Sequence, residues 1–338
     1  MPHGPVVDIH THVIPEKFPN RPAFSDCTCW PNVRDAGPGK TVFMGERAFR
    51  AMDARSWSVE ARLSDMAAEG VDAQLLSPMP ELLSYWMSET ECVALCRFVN
   101  SEIAGMVRAH PKRFAGLGMV PLQNPELAAR EMERLKGEYN LSGIEVAATV
   151  NGVAIGDVRF NAVFEAAQRL DLAVFVHPVR PLHESALGDG VAVGALFGYP
   201  LDVAVAASSV ILGRLLQRFP GLRLCFSHGG GALAAILPRL FHGIGVEPNL
   251  RSVYADTLAD TLRSAYFDIL LYDKALLQAV AGLGMERLVL GTDYPFAMRL
   301  SNPMEFLAGL DSSAALSHHS LSAAAISFIG EHARRHFN

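Results

Sequence analysis

The chain has 338 residues, of which 50% are hydrophobic and 19% are charged. This apolar content excludes a disordered or fibrous protein. The formal net charge of −6 argues against a nucleic-acid-binding protein, which usually carries a basic face. The N-terminus has no basic start followed by a long apolar run, and no stretch reaches the ~20 apolar residues of a membrane span. We therefore expect no signal peptide and no membrane association.

The cysteines indicate the cellular compartment. There are five of them, and an odd number in a chain of this length favours a reducing compartment over a disulfide framework. Cys27 and Cys29 are too close in sequence to form the usual zinc-binding pair. We interpret the five cysteines as structural or incidental and predict a cytoplasmic protein.

Eight short apolar runs alternate with helical patterns along the chain. Apolar runs bounded by turn residues are typical of buried parallel strands, and their alternation with helices predicts an α/β fold. Eight units favour a closed (β/α)8 TIM barrel that forms a single domain over residues 1–338. No glycine-rich dinucleotide fingerprint follows the first run, which disfavours a Rossmann fold. The runs are residues 6–10, 71–77, 114–120, 143–147, 172–177, 222–228, 264–270 and 287–292.

Two segments are longer than a strand-to-helix connection in a simple barrel. Residues 18–58 form an insertion after the first predicted strand, and residues 181–200 form a glycine-rich loop after the fifth. Both follow the carboxyl ends of strands, where barrel active sites lie. We predict that both segments cover a substrate.

Polar residues stand where predicted strands end. His10 and His12 end the first strand, His177 the fifth and His228 the sixth, and Asp293 follows the eighth. Residues two apart in a strand face the same side, and the strand ends of a barrel converge on one rim. Imidazole and carboxylate groups suit a divalent first-row metal ion. We predict a metal site with an open position, formed by His10, His12, His177 and Asp293.

Several sequence blocks resemble one family. The segments VDIHTH, FVHP, CFSHGGG and GTDYPF resemble the amidohydrolase superfamily. More narrowly, they resemble the branch that contains α-amino-β-carboxymuconate-ε-semialdehyde decarboxylase. The resemblance extends over nearly the whole chain, including PKRFAGLGMVPLQNPELAAREMERL and QRFPGLRLCFSHGGGALAAILPRLFHG. It implies a barrel of the metal-dependent amidohydrolase type.

The resemblance also implies roles for individual residues. The residues that match the four predicted ligands bind one zinc ion, and the residue that matches His228 is the acid/base beside the metal. We also predict a catalytic role for Asp293, which would bind the metal and hydrogen-bond its bound water. The residue matching Arg50 binds a substrate carboxylate, which a guanidinium pairs bidentately. The residue matching Arg239 reaches into the neighbouring subunit's site and implies a homodimer. Phe296 and Trp86 are candidate aromatic walls of the substrate pocket.

The absence of a lysine at a predicted strand end indicates the number of metal ions. Binuclear relatives use a lysine at the end of the fourth strand, and none of the five lysines of this chain ends a predicted strand. We therefore expect one divalent ion, with zinc as the first choice and manganese or another ion as the alternative. Glu145 lies within the fourth predicted strand, and whether it faces the site is left open.

The match departs from the decarboxylase pattern around the fifth strand. Val179 and Arg180 stand where the branch has Trp-Asp, and Ala195 stands where it has a tryptophan. The loss of a large aromatic side chain changes the shape of a pocket. We therefore expect the metal chemistry to be kept and the substrate to differ, with Arg180 as an open candidate for an anion contact.

The sequence supports three candidate functions. The first is a metal-dependent decarboxylase of a small unsaturated or aromatic carboxylate. The second is a metal-dependent hydrolase acting on a lactone, an amide or a carbon–carbon bond, or a related hydratase, on the same site. The third is a metal-binding protein without catalysis, which His228 argues against because binding alone needs no acid/base. Release of CO₂, as opposed to incorporation of water, distinguishes the first two.

Overall fold

Eight parallel strands form one sheet whose first and last members meet. The computed structural model describes residues 4–25, 27–36, 39–182, 193–308, 310 and 316–337. Neighbouring strands follow chain order. The sheet closes because the N–H of Ile9 donates to the carbonyl oxygen of Leu290 at 2.9 Å, and that of Asp293 to His10 at 2.9 Å. The predicted (β/α)8 barrel is confirmed. Its strands are β1 (Val7–Val13), β2 (Ala73–Pro78), β3 (Phe114–Gly118), β4 (Gly143–Ala147), β5 (Ala173–His177), β6 (Leu224–Phe226), β7 (Tyr266–Asp268) and β8 (Arg287–Val289).

Helices cover the outside of the barrel. Their apolar faces pack on the sheet in a large core. Polar caps define several helix starts; Ser88 and Glu91, for example, form a reciprocal capping box. The helices are α1 (Val59–Glu69), α2 (Glu89–Ala109), α3 (Pro125–Arg134), α4 (Asn161–Arg169), α5 (Tyr199–Leu212), α6 (Leu215–Arg218), α7 (Leu233–Val246), α8 (Pro248–Ser264), α9 (Lys274–Gly282), α10 (Pro303–Ala308), α11 (His318–Ile329) and α12 (Glu331–His336).

A second, smaller apolar cluster joins strand residues to the C-terminal segment. It includes Ile9, Phe175 and Tyr266 from the strands and Phe328 and Phe337 from the end of the chain. Helix α11 packs against β1 and β8. The C-terminal segment therefore packs directly against strand residues of the barrel.

The insertion after β1 is mainly a small antiparallel sheet and not a loop. Its strands are Pro31–Ala36, Gly39–Met44 and Arg47–Met52. Trp30, Val42 and Met52 are buried and belong to the large core. The last strand carries Arg50, so this packing holds a predicted substrate residue against the barrel.

The insertion also contains a disulfide. Cys27 and Cys29 are bonded, with their Cα atoms 5.2 Å apart. Cys92, Cys96 and Cys225 are free and buried. Our interpretation of the cysteines did not include a disulfide and is corrected on this point.

The second insertion leads into a long apolar helix. Residues 183–192 of this predicted loop lie outside the described part of the chain. From Gly194 onward the backbone is helical and continues into α5. The stretch Gly194–Leu212 is apolar and long enough to cross a membrane by length and composition, and 44% of it is buried. It packs on β5 and on α7, and a core helix of a soluble protein has the same composition.

Candidate active site

The four predicted metal ligands lie together at the carboxyl ends of the strands. One donor atom from each of His10, His12, His177 and Asp293 falls within 4.8 Å of the others. Oδ1 of Asp293 is 3.1 Å from Nε2 of His12 and 3.4 Å from Nε2 of His10. A register shift in β1 between Asp8 and Thr11 accompanies the placement of both histidines on this site.

Nδ1 of each of the three histidines lies within hydrogen-bond distance of an oxygen atom. Nδ1 of His12 is 3.0 Å from the carbonyl oxygen of Pro78, and Nδ1 of His177 is 2.6 Å from that of Pro178. Nδ1 of His10 is 2.7 Å from Oδ2 of Asp268. A proton on each Nδ1 satisfies these acceptors and leaves each Nε2 with a lone pair directed at the site.

This arrangement suits a bound cation. The Nε2 atoms of His10 and His12 are 3.1 Å apart, so two lone pairs and a carboxylate oxygen would face one another. Within the described residues, Nε2 of His177 is buried and has no hydrogen-bond partner. Three nitrogens and one carboxylate oxygen match the ligands that divalent first-row ions take. The residues present therefore fit a single divalent metal ion.

The titration behaviour agrees with neutral ligands at two positions. Burial lowers the pKa of His12 to about 4 and that of His177 well below its usual value. Burial also disfavours charged His10, but the carboxylates of Asp268 and Asp293 outweigh it and raise its pKa to about 10. A bound cation would compete with that proton for Nε2 of His10.

Two aspartates that our sequence reasoning missed support the site. Asp268 ends β7, and its Oδ1 accepts the N–H groups of Gly229 at 2.8 Å and Leu270 at 3.1 Å. Asp8 accepts the hydroxyl of Thr292 at 2.6 Å and its N–H at 3.0 Å. Asp268 thus orients His10, and Asp8 ties β1 to the turn that carries Asp293. The position of Asp268 at a strand end was the signal available in the sequence.

His228 lies beside the predicted ligands without belonging to that set. Its ring centroid is 5.3 Å from that of His10 and 5.1 Å from that of His177. Burial lowers its pKa, which favours the neutral imidazole. Nδ1 of His228 is 3.1 Å from the hydroxyl oxygen of Ser227. The geometry suits a group that exchanges a proton with a molecule next to the metal site.

A cavity of about 910 Å³ opens onto these groups. Arg50 lies in its wall, with Cζ 3.9 Å from the centroid of the Phe296 ring, and Phe296 stacks on His12 at 4.9 Å. The structure thereby brings together Arg50 and Phe296 as predicted, and Ala195 also faces the cavity. Other lining residues include Phe49, Glu81, His177, Leu196, Tyr199, His228, Leu270, Leu271, Tyr272, Asp293 and Met298.

The other residues predicted for the site do not line this cavity in the described part of the chain. Trp86 and Arg239 are absent from the described lining of this cavity. The guanidinium of Arg180 covers the Trp86 ring, with Cζ 3.2 Å from its centroid. Arg239 is exposed on α7. Glu145 lies behind the site: its Oε2 is 3.8 Å from Nδ1 of His12, the ring nitrogen turned away from the other predicted ligands, and burial raises its pKa to about 8.

The barrel, with histidine and aspartate side chains at the carboxyl ends of its strands, is the scaffold of a metal-dependent enzyme. The amidohydrolase family matches residues 7–332, and the chain belongs to that family. This finding confirms the resemblance inferred from the sequence blocks.

Particular relatives narrow the comparison. The chain is similar to the 2-amino-3-carboxymuconate-6-semialdehyde decarboxylase of Dictyostelium discoideum, with 31% identity over 295 residues, covering 86% of this chain and 82% of that protein. The crystal structure of 5-carboxyvanillate decarboxylase from Sphingomonas paucimobilis has a TM-score of 0.78 and 25% identity, covering 96% and 98% of the two chains. A dihydroxybenzoic acid decarboxylase of Polaromonas sp. JS666, solved with manganese and 2-nitroresorcinol, shares the fold with a TM-score of 0.75, 19% identity and coverage of 96% and 97%.

Proposed function

We propose that this protein is a metal-dependent decarboxylase of a small aromatic or unsaturated carboxylate. The proposal rests on one observation: the candidate metal site, Arg50 and His228 all line the same cavity. The kinship with decarboxylases supports the same reaction. When bound, a divalent ion supplies positive charge that stabilises negative charge developing on the substrate.

The chain's own residues bind the acid and handle the proton. Arg50 binds a substrate carboxylate, and Phe296 supplies an aromatic wall beneath its guanidinium. The bond from carbon to the carboxyl group breaks, CO₂ leaves, and the electron pair stays on the carbon. His228 takes up a proton from solvent and delivers it to that carbon. Its lowered pKa makes the protonated ring a stronger acid and leaves the ring neutral once the proton is given. Asp293, which also lines the cavity, orients the reacting group.

Product analysis tests this function. The zinc- or manganese-loaded protein is incubated with small aromatic and unsaturated acids. CO₂ release is measured alongside incorporation of the oxygen atom of isotopically labelled water into the product. We expect CO₂ without net incorporation of water. His228→Ala should abolish turnover and leave the metal content unchanged, whereas His319→Ala, on an exposed side chain, should change neither. Incorporated water without CO₂ would instead establish the hydrolase or hydratase.

We further propose that the protein is a cytoplasmic homodimer in which Arg239 reaches the partner's site. Arg239 is exposed on α7, three residues after Ile236, which is 40% exposed. Residues three apart share one helix face, so this face can bury apolar area on association. Mixing inactive His228→Ala with inactive Arg239→Ala should restore part of the activity. Restoration must fail if each site uses its own Arg239.

We also propose that zinc is the resident ion. Three imidazoles and one carboxylate match its usual donors, while manganese is the ion held by the Polaromonas protein. Metal analysis of protein purified without added metal decides between the two. Trp86 stays a predicted substrate contact, to be tested by the effect of Trp86→Phe on KM.

A further inference from the structure

Exposed apolar side chains line the cavity where it meets solvent. Leu196, Tyr272, Leu276 and Met298 are between 40% and 54% exposed and all line it. They come from separate parts of the chain, namely the helical stretch before α5, the turn after β7, helix α9 and the turn after β8. Because apolar side chains gathered in contact with water are unfavourable, these four residues, the mouth cluster, suit an apolar ligand.

Hydrogen bonds hold the mouth cluster in place. The hydroxyl of Tyr272 donates to the carbonyl oxygen of Met298 at 2.8 Å, which ties the turn after β7 to the turn after β8. Since this hydroxyl is already bonded, Tyr272 offers the cavity its ring and not a donor. Leu276 lies in the first turn of α9, where its N–H donates to the capping carboxylate of Asp273 at 2.7 Å. The mouth cluster is therefore built into the rim of the barrel.

The apolar lining continues from the mouth cluster toward the metal site. Leu271 lines the cavity and packs on Gly229, where an added β-carbon would lie 2.6 Å from its Cγ. Gly229 directly follows His228, so Leu271 extends the apolar wall to the proposed acid. Ala195 also lines the cavity, and its small side chain leaves room that a tryptophan would fill. A molecule that reaches from His228 to the mouth cluster would therefore meet apolar side chains along its length.

The charged residues of the cavity place the substrate carboxylate at Arg50. Nη2 of Arg50 is 3.7 Å from Oε1 of Glu81, an oxygen that also accepts the hydroxyl of Tyr199 at 3.2 Å. Arg55 is instead bonded to both carboxylate oxygens of Asp53, at distances of 2.7 to 3.1 Å. Because such a bidentate pair already satisfies Arg55, Arg50 is the cation left for the substrate. The part of the molecule that lies at the mouth cluster is then expected to be neutral.

The cavity is larger than an acid with a single ring. Its volume of about 910 Å³ lies at the upper end of the range of roughly 300–1,000 Å³ that holds drug-sized ligands. An acid with one ring leaves much of this volume to water. A second ring or a branched alkyl chain would fill the outer part and remove the mouth cluster from water, which is favourable in proportion to the apolar area buried.

We propose that this protein selects acids that carry a bulky, neutral, apolar group in addition to the reacting carboxylate, and that Leu276 and Met298 determine this selectivity. The substrate class is an aromatic or unsaturated acid extended by a second ring or a branched alkyl chain. The inference deepens the proposed function and rests on it in one respect, namely that the cavity takes a carboxylate.

Matched benzoates test the inference. Benzoate is compared with its phenyl derivatives, substituted ortho, meta or para to the carboxylate, and dissociation constants for the zinc-loaded protein are measured by calorimetry. The best phenyl derivative should bind at least about tenfold tighter than benzoate, because the mouth cluster buries its second ring. The same compound with a second carboxylate on the outer ring should lose this gain, since a charge there leaves water without finding a partner.

Variants assign the effect to the mouth cluster. Leu276→Asn combined with Met298→Gln makes two exposed members polar with little change in size, so the fold should be kept. This double variant should bring the affinity of the phenyl derivative to within about threefold of that of benzoate. Leu212→Asn is the matched control. Leu212 is also exposed, but it ends α5, about 20 Å along the helix from the lining residue Tyr199, and its replacement should keep the wild-type preference.

The outcomes separate this inference from the proposed function. No phenyl preference in the wild type, a preference unchanged in the double variant, or no binding of any of these acids would overturn the role of the mouth cluster, even if CO₂ is released from another acid. Equal affinity for the derivative with a charged outer ring would also reject an apolar wall. A preference that depends on Leu276 and Met298, without CO₂ release from any acid tested, would support the mouth cluster and reject decarboxylation.

Discussion

Replacement of Asp268 by asparagine should weaken metal binding while the barrel stays folded. Asp268 receives the Nδ1 proton of His10 at 2.7 Å and two backbone N–H groups at 2.8 and 3.1 Å. In Asp268→Asn the amide oxygen can keep the two backbone bonds, which turns the amide NH₂ toward Nδ1 of His10. That nitrogen must then act as the acceptor, and the ring proton moves to Nε2, the atom that faces the metal site.

The size of the effect follows from the role of this contact. Loss of such an outer partner of a metal-binding histidine weakens metal affinity about 10- to 100-fold, which equals about 1.4–2.7 kcal/mol. Competition between the protein and a chelator of known zinc affinity measures this change. Circular dichroism of the variant checks that the fold is kept.

A second aspartate-to-asparagine variant, at a position away from the metal site, serves as the control. Asp273 caps helix α9 by accepting the N–H of Leu276 at 2.7 Å, and asparagine is an equally good cap. Asp273→Asn should therefore leave zinc affinity unchanged. If Asp268→Asn binds zinc within about twofold of the wild type, the orienting role of Asp268 is wrong, since its loss is expected to weaken binding at least tenfold.

Three further predictions concern binding and stability. Arg50→Met should raise KM for the substrate acid about tenfold or more, while Arg47→Met, exposed on the same strand, should not. The Ser25 hydrogen bond lowers the pKa of Glu91 to about 2 from 4.5. The stability from Glu91 is therefore present above about pH 4.5 and lost as the pH falls toward 2, so thermal unfolding of Glu91→Gln should depend less on pH in that window. Arg62 is fully buried and donates to the backbone carbonyl of His12. Arg62→Met should lower the free energy of unfolding by about 1–3 kcal/mol in urea, and an unchanged urea midpoint would contradict this role.

Short apolar runs in the sequence were sufficient to predict the fold. The sixth predicted strand, residues 222–228, contains β6 (Leu224–Phe226), and the others agree similarly because buried parallel strands are continuous apolar runs. The insertion was harder to predict. Its antiparallel sheet pairs Val42 with Arg50, and short exposed strands of mixed polarity give no clear alternation.

The sequence by itself predicted the class of barrel and the four residues that the structure brings together, because His10 and His12 share one side of a strand and the other two stand at strand ends. Only the tertiary structure decided what surrounds them. Asp268 lies 258 residues from the histidine that it orients, and Glu81 lies 118 residues from Tyr199. Contacts between such distant residues leave no periodic signal in the chain. They exist because barrel closure brings the carboxyl ends of all eight strands to one rim.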